Sequence, residues 1–180
     1  MNCKLNIKSL VTLFIFIFLS NFLGCAAGKY SLVNPPSDKT ESFQAVEVGK
    51  IDVGATNDEV QPEIPIELRS LIVEEIHKKN IYQQVLEEND FNDSVIKVDA
   101  KIIQFNKGSQ FTRWAVGILG AGKAVLDVEC KFINKETNDV FAQGIFTAEV
   151  KNGIFGGTAN QKNMSKDVAK AIARFLKKGK

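Results

Sequence analysis

The chain of 180 residues has one histidine, one tryptophan and three cysteines. His77, the only histidine, would have to serve any Ser-His-Asp triad or histidine-based metal site alone, so the sequence supports neither. The acidic stretch 87–93 (EENDFND) lacks the central glycine of a calcium loop, and we interpret it as a solvated loop. We therefore predict no enzymatic activity, no cofactor and no metal site.

Long apolar runs are equally scarce. The most apolar segment, Leu10–Leu19 (LVTLFIFIFL), is about ten residues long, whereas a membrane-spanning helix needs about 20. Lys4 and Lys8 precede it, and the small residue Gly24 follows it. A short apolar run between a basic start and a small-residue site is typical of a signal peptide, which we predict over residues 1–24.

The end of this segment carries a cysteine. Phe22-Leu23-Gly24-Cys25-Ala26 resembles the lipobox of bacterial lipoproteins, although the favoured pattern has Leu where this chain has Phe22. The resemblance implies cleavage before Cys25, acylation of Cys25 with fatty acids such as palmitate, and a stable membrane anchor. Ala26, in place of an aspartate, favours the outer membrane, with the domain facing the periplasm. Ordinary secretory cleavage with an unmodified Cys25, and an uncleaved anchor, remain alternatives.

The chain also lacks a large excess of either positive or negative charge. Removing residues 1–24 takes away Lys4 and Lys8, so the 23 basic side chains become 21 and match the 21 acidic ones. A net charge near zero gives no indication of nucleic-acid binding. Cys130 is the only cysteine left beside Cys25, so we predict no internal disulfide and a buried thiol.

The remaining chain suits one domain. We interpret residues 25–42 as the lipidated cysteine and a flexible tether, and residues 43–180 as a single α+β domain. Hydrophobic periodicity predicts the order strand, helix, strand, strand, hairpin, helix, in a mostly antiparallel sheet with both helices on one face. The predicted strands cover 43–53, 81–86, 94–105, 124–133 and 140–150; the predicted helices cover 66–79 and the segment after an N-cap at Ser165.

A glycine-rich stretch resembles a nucleotide site but lacks part of it. Gly117, four residues, Gly122 and Lys123 match a phosphate-binding loop up to its last position, where Ala124 replaces the Ser or Thr that holds Mg²⁺. A strand follows instead of the helix whose N-terminus would face phosphate. We predict a turn into the strand. Anion binding by Gly120, Gly122 and Lys123 stays as an alternative.

The surrounding segment 114–126 has one charge and contains the only tryptophan. As a loop it would offer an apolar surface to a partner, and Trp beside Arg is common at interfaces. As part of the core it would simply be buried. Both interpretations stay open, and the partner-contact residues would be Arg113, Trp114, Ile118 and Leu119.

The same residues carry a resemblance to a family. Arg113-x-x-x-Gly117-x-x-Gly120-Ala121-Gly122-Lys123-Ala124, an alternating hairpin, and Gly156-Gly157 before a last helix resemble the bacterial domain of unknown function 4410, over residues 43–178. Asn134 and Asn138 stand where the family pattern leads us to expect Asp and Gly. The resemblance implies a lipoprotein without an established activity. Its layout is similar to envelope domains such as the N-terminal domain of TolB and the curli secretion lipoprotein.

These observations lead to three expectations of function. The first is a non-catalytic, membrane-anchored envelope lipoprotein whose domain binds an unknown envelope protein. The second is a subunit of an oligomeric envelope assembly or secretion complex. The third is an anion- or nucleotide-binding protein that uses the loop from Gly117 to Lys123.

Overall fold

The computed structural model describes residues 28–36, 43–56, 58–86, 94–106, 124–150 and 161–179. The elements in these ranges are β1 (Lys29–Asn34), β2 (Ala45–Val53), α1 (Glu63–Lys78), β3 (Gln84–Leu86), β4 (Val95–Asn106), β5 (Ala124–Asn134), β6 (Val140–Val150) and α2 (Gln161–Lys178). The predicted α+β class is confirmed. The element order differs from the prediction by an additional strand, β1, before the first predicted one.

The strands form one mixed sheet in the order β1-β6-β5-β4-β2-β3. Strand β1 pairs antiparallel with β6, β6 with β5, and β5 with β4. Strand β2 pairs parallel with both of its neighbours, β4 and β3. The prediction of a mostly antiparallel sheet is therefore wrong. The reason lies in α1, which connects the neighbouring strands β2 and β3: a helical crossover returns the chain to the same end of the sheet and makes such strands parallel.

Strands β4 and β5 follow a simple alternation of burial. Ile96, Val98, Ala100 and Ile102 are buried, and Lys101 between them is exposed. Successive side chains of a strand point to opposite faces, so one face of the sheet forms the core and the other carries charge. The predicted hairpin of β5 and β6 is present with the predicted pairing.

The helices contact each other and cover the core face of the sheet. In α1 the buried stripe is Ile64, Leu68, Ile72 and Ile76, at the four-residue spacing of one helix face. The helix begins at Glu63, before the predicted start, and Pro65 falls in its first turn, where a missing N–H costs no hydrogen bond. Asn80 has a φ of 48° and ends the helix, as predicted.

Helix α2 starts earlier than the sequence predicted. It begins at Gln161, so Ser165 is a buried residue inside the helix and not its N-cap. The apolar stripe predicted for this helix is confirmed: Val168, Ala169, Ile172, Phe175 and Leu176 are all buried.

Strand β1 corrects the predicted tether. Residues 29–34 pair antiparallel with β6, from Lys29 opposite Thr147 to Asn34 opposite Gln143. This part of the segment 25–42 is therefore the edge strand of the sheet, and Tyr30 packs against the core. The ordered domain begins well before residue 43.

Candidate functional site

The start of β1 is fixed to the middle of α2. Arg174 donates a hydrogen bond from Nη2 to the carbonyl oxygen of Gly28 at 2.5 Å, and its Nε donates to the carbonyl oxygen of Lys170 at 3.3 Å. The backbone of Gly28 lies so close to α2 that a Cβ there would be 2.4 Å from the carbonyl oxygen of Asp167. Only glycine fits this approach.

Aromatic packing holds the next part of β1, around Tyr30. The ring of Tyr30 lies 5.5 Å from that of Phe146 and 5.7 Å from that of Phe175, measured between centroids. The rings of Phe132 and Phe175 are 4.6 Å apart. Such pairs add to the free energy of burial, so β1 is attached to the core and to α2 through the same cluster. Lys178 places its Nζ 5.9 Å from the Tyr30 ring centroid.

This junction lies next to the predicted lipidation site. Cys25 precedes Gly28 by three residues, and three residues of chain span at most about 10 Å. Cys25 itself lies outside the described residues. Covalent connectivity limits the distance between the backbone of residue 25 and Gly28 to that length. This is the candidate functional site.

The outer face of α2 beside this junction is basic. Lys166 and Lys177 are exposed, and Lys170 is partly exposed. The one acidic residue of this helix, Asp167, lies with its Oδ1 3.7 Å from Lys170 Nζ. Burial raises the pKa of Asp167 above its ordinary value, although the neighbouring cations act in the opposite direction. Three lysines against this one carboxylate leave positive charge dominant on the face.

The charged face of the sheet has a different character, because several of its charges lie opposite a residue of the other sign on the neighbouring strand. Asp99 lies opposite Lys131, and Lys101 lies opposite Glu129 on the neighbouring strand. Gln143 donates from Nε2 to Glu129 Oε1 at 2.7 Å. Cross-strand neighbours of opposite charge stabilise a sheet and largely cancel each other's field.

Cys130 is a buried free thiol, as the sequence predicted. His77 is exposed on α1. Burial, with the charges of Asp99 and Glu129, raises the pKa of the Cys130 thiol above its ordinary range. Burial also raises the pKa of Tyr82 to about 12. In the described ranges no three His, Cys, Asp or Glu residues are grouped as metal ligands.

The other predicted site residues fall outside the ranges that the structure describes. These are the lipidation residue, the partner-contact residues and the anion-contact residues: Cys25, Arg113, Trp114, Ile118, Leu119, Gly120, Gly122 and Lys123. The structure neither brings them together nor separates them, and each stays a prediction.

The residues that build the junction, Gly28, Tyr30 and Arg174, were not predicted from the sequence. One signal was present: KYSLVN alternates polar and apolar residues over Lys29 to Leu32, as an edge strand does. The contact between Gly28 and Arg174 joins residues 146 positions apart, and no local pattern indicates such a pair.

Solved structures share the fold. The PelC dodecamer from Paraburkholderia phytofirmans is 13% identical, with a TM-score of 0.54 over 81% of this chain and 97% of that chain. A Xanthomonas campestris protein of the family of domain of unknown function 330 is 12% identical, with a TM-score of 0.53 over 81% and 91% of the two chains. No curated protein matches the sequence. Among the described residues, no helix has the length and apolar character to span a membrane.

The family resemblance is confirmed by a direct match. Residues 30–157 fit the model of the domain of unknown function 4410, a range that starts in β1 and ends before α2. The match thus includes nearly all of the edge strand β1 and the whole of β2, β3, β4, β5 and β6. The chain belongs to the family of domain of unknown function 4410.

Proposed function

We propose that the protein is a membrane-anchored envelope lipoprotein, with a folded domain that binds another envelope component and catalyses no reaction. One observation carries the proposal: Gly24-Cys25 follows an apolar leader in the sequence, and Gly28, three residues after Cys25, is hydrogen-bonded to Arg174 of α2. A cysteine so near the folded domain could join that domain directly to a lipid.

The physics of acyl chains supports a stable anchor. Each buried methylene contributes about 0.8 kcal/mol, so one chain holds a protein only marginally and two or more hold it firmly. A mature lipoprotein carries several chains on its cysteine. The absence of an aspartate after Cys25 favours the outer membrane, with the domain in the periplasm.

A binding role suits the surfaces that the structure describes. The charged sheet face and the basic face of α2 lie on opposite sides of the core, and each carries groups suited to recognition. The predicted contact residues Arg113, Trp114, Ile118 and Leu119 would add an apolar surface. We assign no catalytic residue.

Mass spectrometry of membranes from cells that produce the full chain tests the anchor. We expect an N-terminus at Cys25 that carries acyl groups, and a protein that stays with the membrane at high salt. The variant Cys25→Ser should lose both properties. A soluble wild-type chain with an unmodified Cys25 would contradict the proposal.

Crosslinking in intact cells tests the binding role. The wild-type chain and Trp114→Ala are compared for crosslinked partners, with the exposed Ile66→Ala as a matched control for loss of an apolar side chain. We expect Trp114→Ala alone to lose a partner. Unchanged crosslinks in all three proteins would remove Trp114 from the contact.

A second candidate function is a subunit of an oligomeric envelope assembly. The PelC protein with the same fold forms a dodecamer. In this chain, β1 and β3 end the described sheet, and an edge strand has backbone groups that can pair with another chain. Light scattering of the detergent-solubilised protein distinguishes a monomer from a ring. A monomeric mass at all concentrations would exclude this candidate.

A further inference from the structure

The basic charge of the mature chain is concentrated in α2. Of the 21 basic and 21 acidic side chains of residues 25–180, α2 contains six basic residues and one acidic residue, Asp167. The rest of the mature chain thus has 15 basic and 20 acidic side chains. The net positive charge of α2 is therefore balanced by a net negative charge on the rest of the mature chain.

The exposed lysines of α2 share one side of the helix. Lys166, Lys170 and Lys177 are separated by four and seven residues, the spacing that returns to the same face. Lys166 and Lys177 are exposed, and Lys170 has 39% of its side chain exposed. The opposite side of the helix is buried in the core. Ala173, seven residues after Lys166, is buried, so the cationic face lies along one border of the exposed surface of α2.

The predicted anchor adjoins this face. Gly28 contacts Asp167 and Ala171 and accepts the hydrogen bond from Arg174, residues that border the three lysines along α2. With Cys25 at most about 10 Å away along the chain, an acylated Cys25 would bring α2 close to the lipid surface. The Debye length at 0.1 M salt is about 10 Å, so lysines held that near the lipid surface would be attracted by anionic headgroups.

We propose that the Lys166, Lys170 and Lys177 face of α2 lies against the anionic lipid headgroups of the membrane and fixes the orientation of the domain. The proposal rests on the proposed lipid anchor at Cys25. Arg174 has a positioning role, because its guanidinium donates a hydrogen bond to the carbonyl oxygen of Gly28 and so joins the start of β1 to α2. The charged face of the sheet, where Asp99 and Glu129 oppose Lys131 and Lys101, would point away from the lipid.

Lysine acylation on vesicles tests the orientation. The full chain is expressed, purified from membranes as the lipidated protein and reconstituted into vesicles of phosphatidylcholine, with or without phosphatidylglycerol. A water-soluble amine-acylating reagent then labels the lysines, and mass spectrometry gives each rate. We expect Lys166, Lys170 and Lys177 to be labelled several-fold more slowly with phosphatidylglycerol present. The exposed lysines elsewhere, Lys50, Lys101 and Lys131, should keep their rates.

Two further measurements identify the interaction as electrostatic. Raising the salt to about 1 M, where the Debye length is about 3 Å, should restore fast labelling of the α2 lysines. Neutralising Lys166, Lys170 and Lys177 to Gln together should remove the effect of phosphatidylglycerol on the rate at Lys178, whereas the matched triple variant of Lys50, Lys101 and Lys131 should retain it. Gln is as good a helix former as Lys, so the first variant keeps its fold.

Each other outcome is decisive. Equal effects of phosphatidylglycerol on both sets of lysines in the lipidated protein would overturn the orientation while leaving the anchor intact. Slow labelling in intact cells but not on either vesicle would indicate an acidic protein partner and overturn the lipid proposal. If Cys25 is found unmodified, the anchor fails. Adding phosphatidylglycerol vesicles to that chain still tests the face: slower α2 labelling supports it, and unchanged rates overturn it.

Discussion

Lys135 Nζ lies 2.5 Å from Glu47 Oε2, and this ion pair joins the β5–β6 turn to strand β2 across β4. The Glu47 side chain is 4% exposed, whereas that of Lys135 is 20% exposed. Strand β2 pairs with β4 and β3 but not with β5. The pair therefore connects the parallel half of the sheet with its antiparallel half.

The two partners of this ion pair should differ in their effect on stability. Lys135→Met leaves a carboxylate buried without its cation, and we expect a loss of about 3 kcal/mol in the free energy of unfolding. Glu47→Gln leaves a cation that can turn to solvent, and we expect a loss of about 1 kcal/mol in the free energy of unfolding. Urea denaturation followed by circular dichroism measures both.

An exposed pair on α1 provides the control for these variants. Lys78 and Glu74 form an ion pair with about half of each side chain exposed. Glu74→Gln should change stability little, because solvent screens such pairs. Equal losses for Glu47→Gln and Lys135→Met would contradict the asymmetry of burial.

Asn138 allows a second prediction, in the turn between β5 and β6. Its φ is 61°, and its N–H donates to the carbonyl oxygen of Asn134 at 2.8 Å. A left-handed conformation costs an ordinary L-residue about 1–2 kcal/mol and costs glycine almost nothing. We expect Asn138→Ala to lower the free energy of unfolding by about 1 kcal/mol and Asn138→Gly to leave it unchanged or slightly higher.

Thermal unfolding of the two Asn138 variants measures this difference. The exposed residue Glu136 lies in the same turn, and Glu136→Ala serves as the control. If Asn138→Ala were as stable as Asn138→Gly, the turn would not depend on the positive φ. The glycine expected at this position from the family pattern would fit the observed backbone without strain.

The sequence predicted the central strands well because their signal is local. In β5 every second residue is apolar, in β4 the alternation continues as far as Ile102, and β6 occupies the residues predicted for it. A strand with one wet face shows its period directly. Helix α1 was also predictable, since four aliphatic residues at helical spacing determine its buried face.

The direction of the strands and the position of β1 were not predictable in the same way. Nothing in the local pattern of β2 shows that it pairs parallel with both β3 and β4, of which the crossover through α1 leads only to β3. Strand β1 packs only Tyr30 against the core, since Leu32 is exposed, and Pro35-Pro36 follows it, so its composition is that of a linker. Its pairing with β6 depends on residues more than 100 positions away.

The candidate site shows the same limit. The predicted lipidation motif at Cys25 is contiguous, so its resemblance to a lipobox is visible in the sequence. The junction of Gly28 with Asp167 and Arg174 exists only in the folded chain, because α2 must first pack on the sheet. Ser165 gave a misleading signal: serine is a common N-cap, yet the helix continues four residues further toward the N-terminus.

Cys130 leads to a prediction about pH. Its pKa is raised by burial in the folded state and returns to about 8.5 when the chain unfolds. The folded state thus holds the proton over a pH range in which the unfolded state has lost it. The contribution to stability is fully present below about pH 8.5 and is lost above it, by up to about 1.4 kcal/mol per pH unit.

Comparing the wild type with Cys130→Ala isolates this contribution. Between about pH 8.5 and about pH 9.5, below the ordinary range of tyrosine and lysine, we expect the stability of the wild type to fall more steeply than that of the variant. The native thiol should also resist alkylation and react once urea unfolds the chain. Parallel pH profiles, or rapid alkylation of the native protein, would show that the thiol is accessible.

Gly28 gives the prediction closest to the proposed anchor. A Cβ at this position would lie 2.4 Å from the carbonyl oxygen of Asp167 and 3.3 Å from the Cβ of Ala171. The closer neighbour is backbone, which cannot rotate away as a side chain can. Gly28→Ala must therefore shift the start of β1 from α2 and weaken the hydrogen bond from Arg174, at a cost of about 1–3 kcal/mol.

Hydrogen exchange detects where this change acts. We expect the β1 amides of Gly28→Ala to exchange faster, while those of β4 and β5 keep their wild-type protection, because β1 is an edge strand. Gly179→Ala is the matched control, since a Cβ there would meet its nearest atom, the carbonyl oxygen of Phe175, at 3.9 Å. Unchanged β1 exchange in Gly28→Ala would mean that the strand does not depend on this contact.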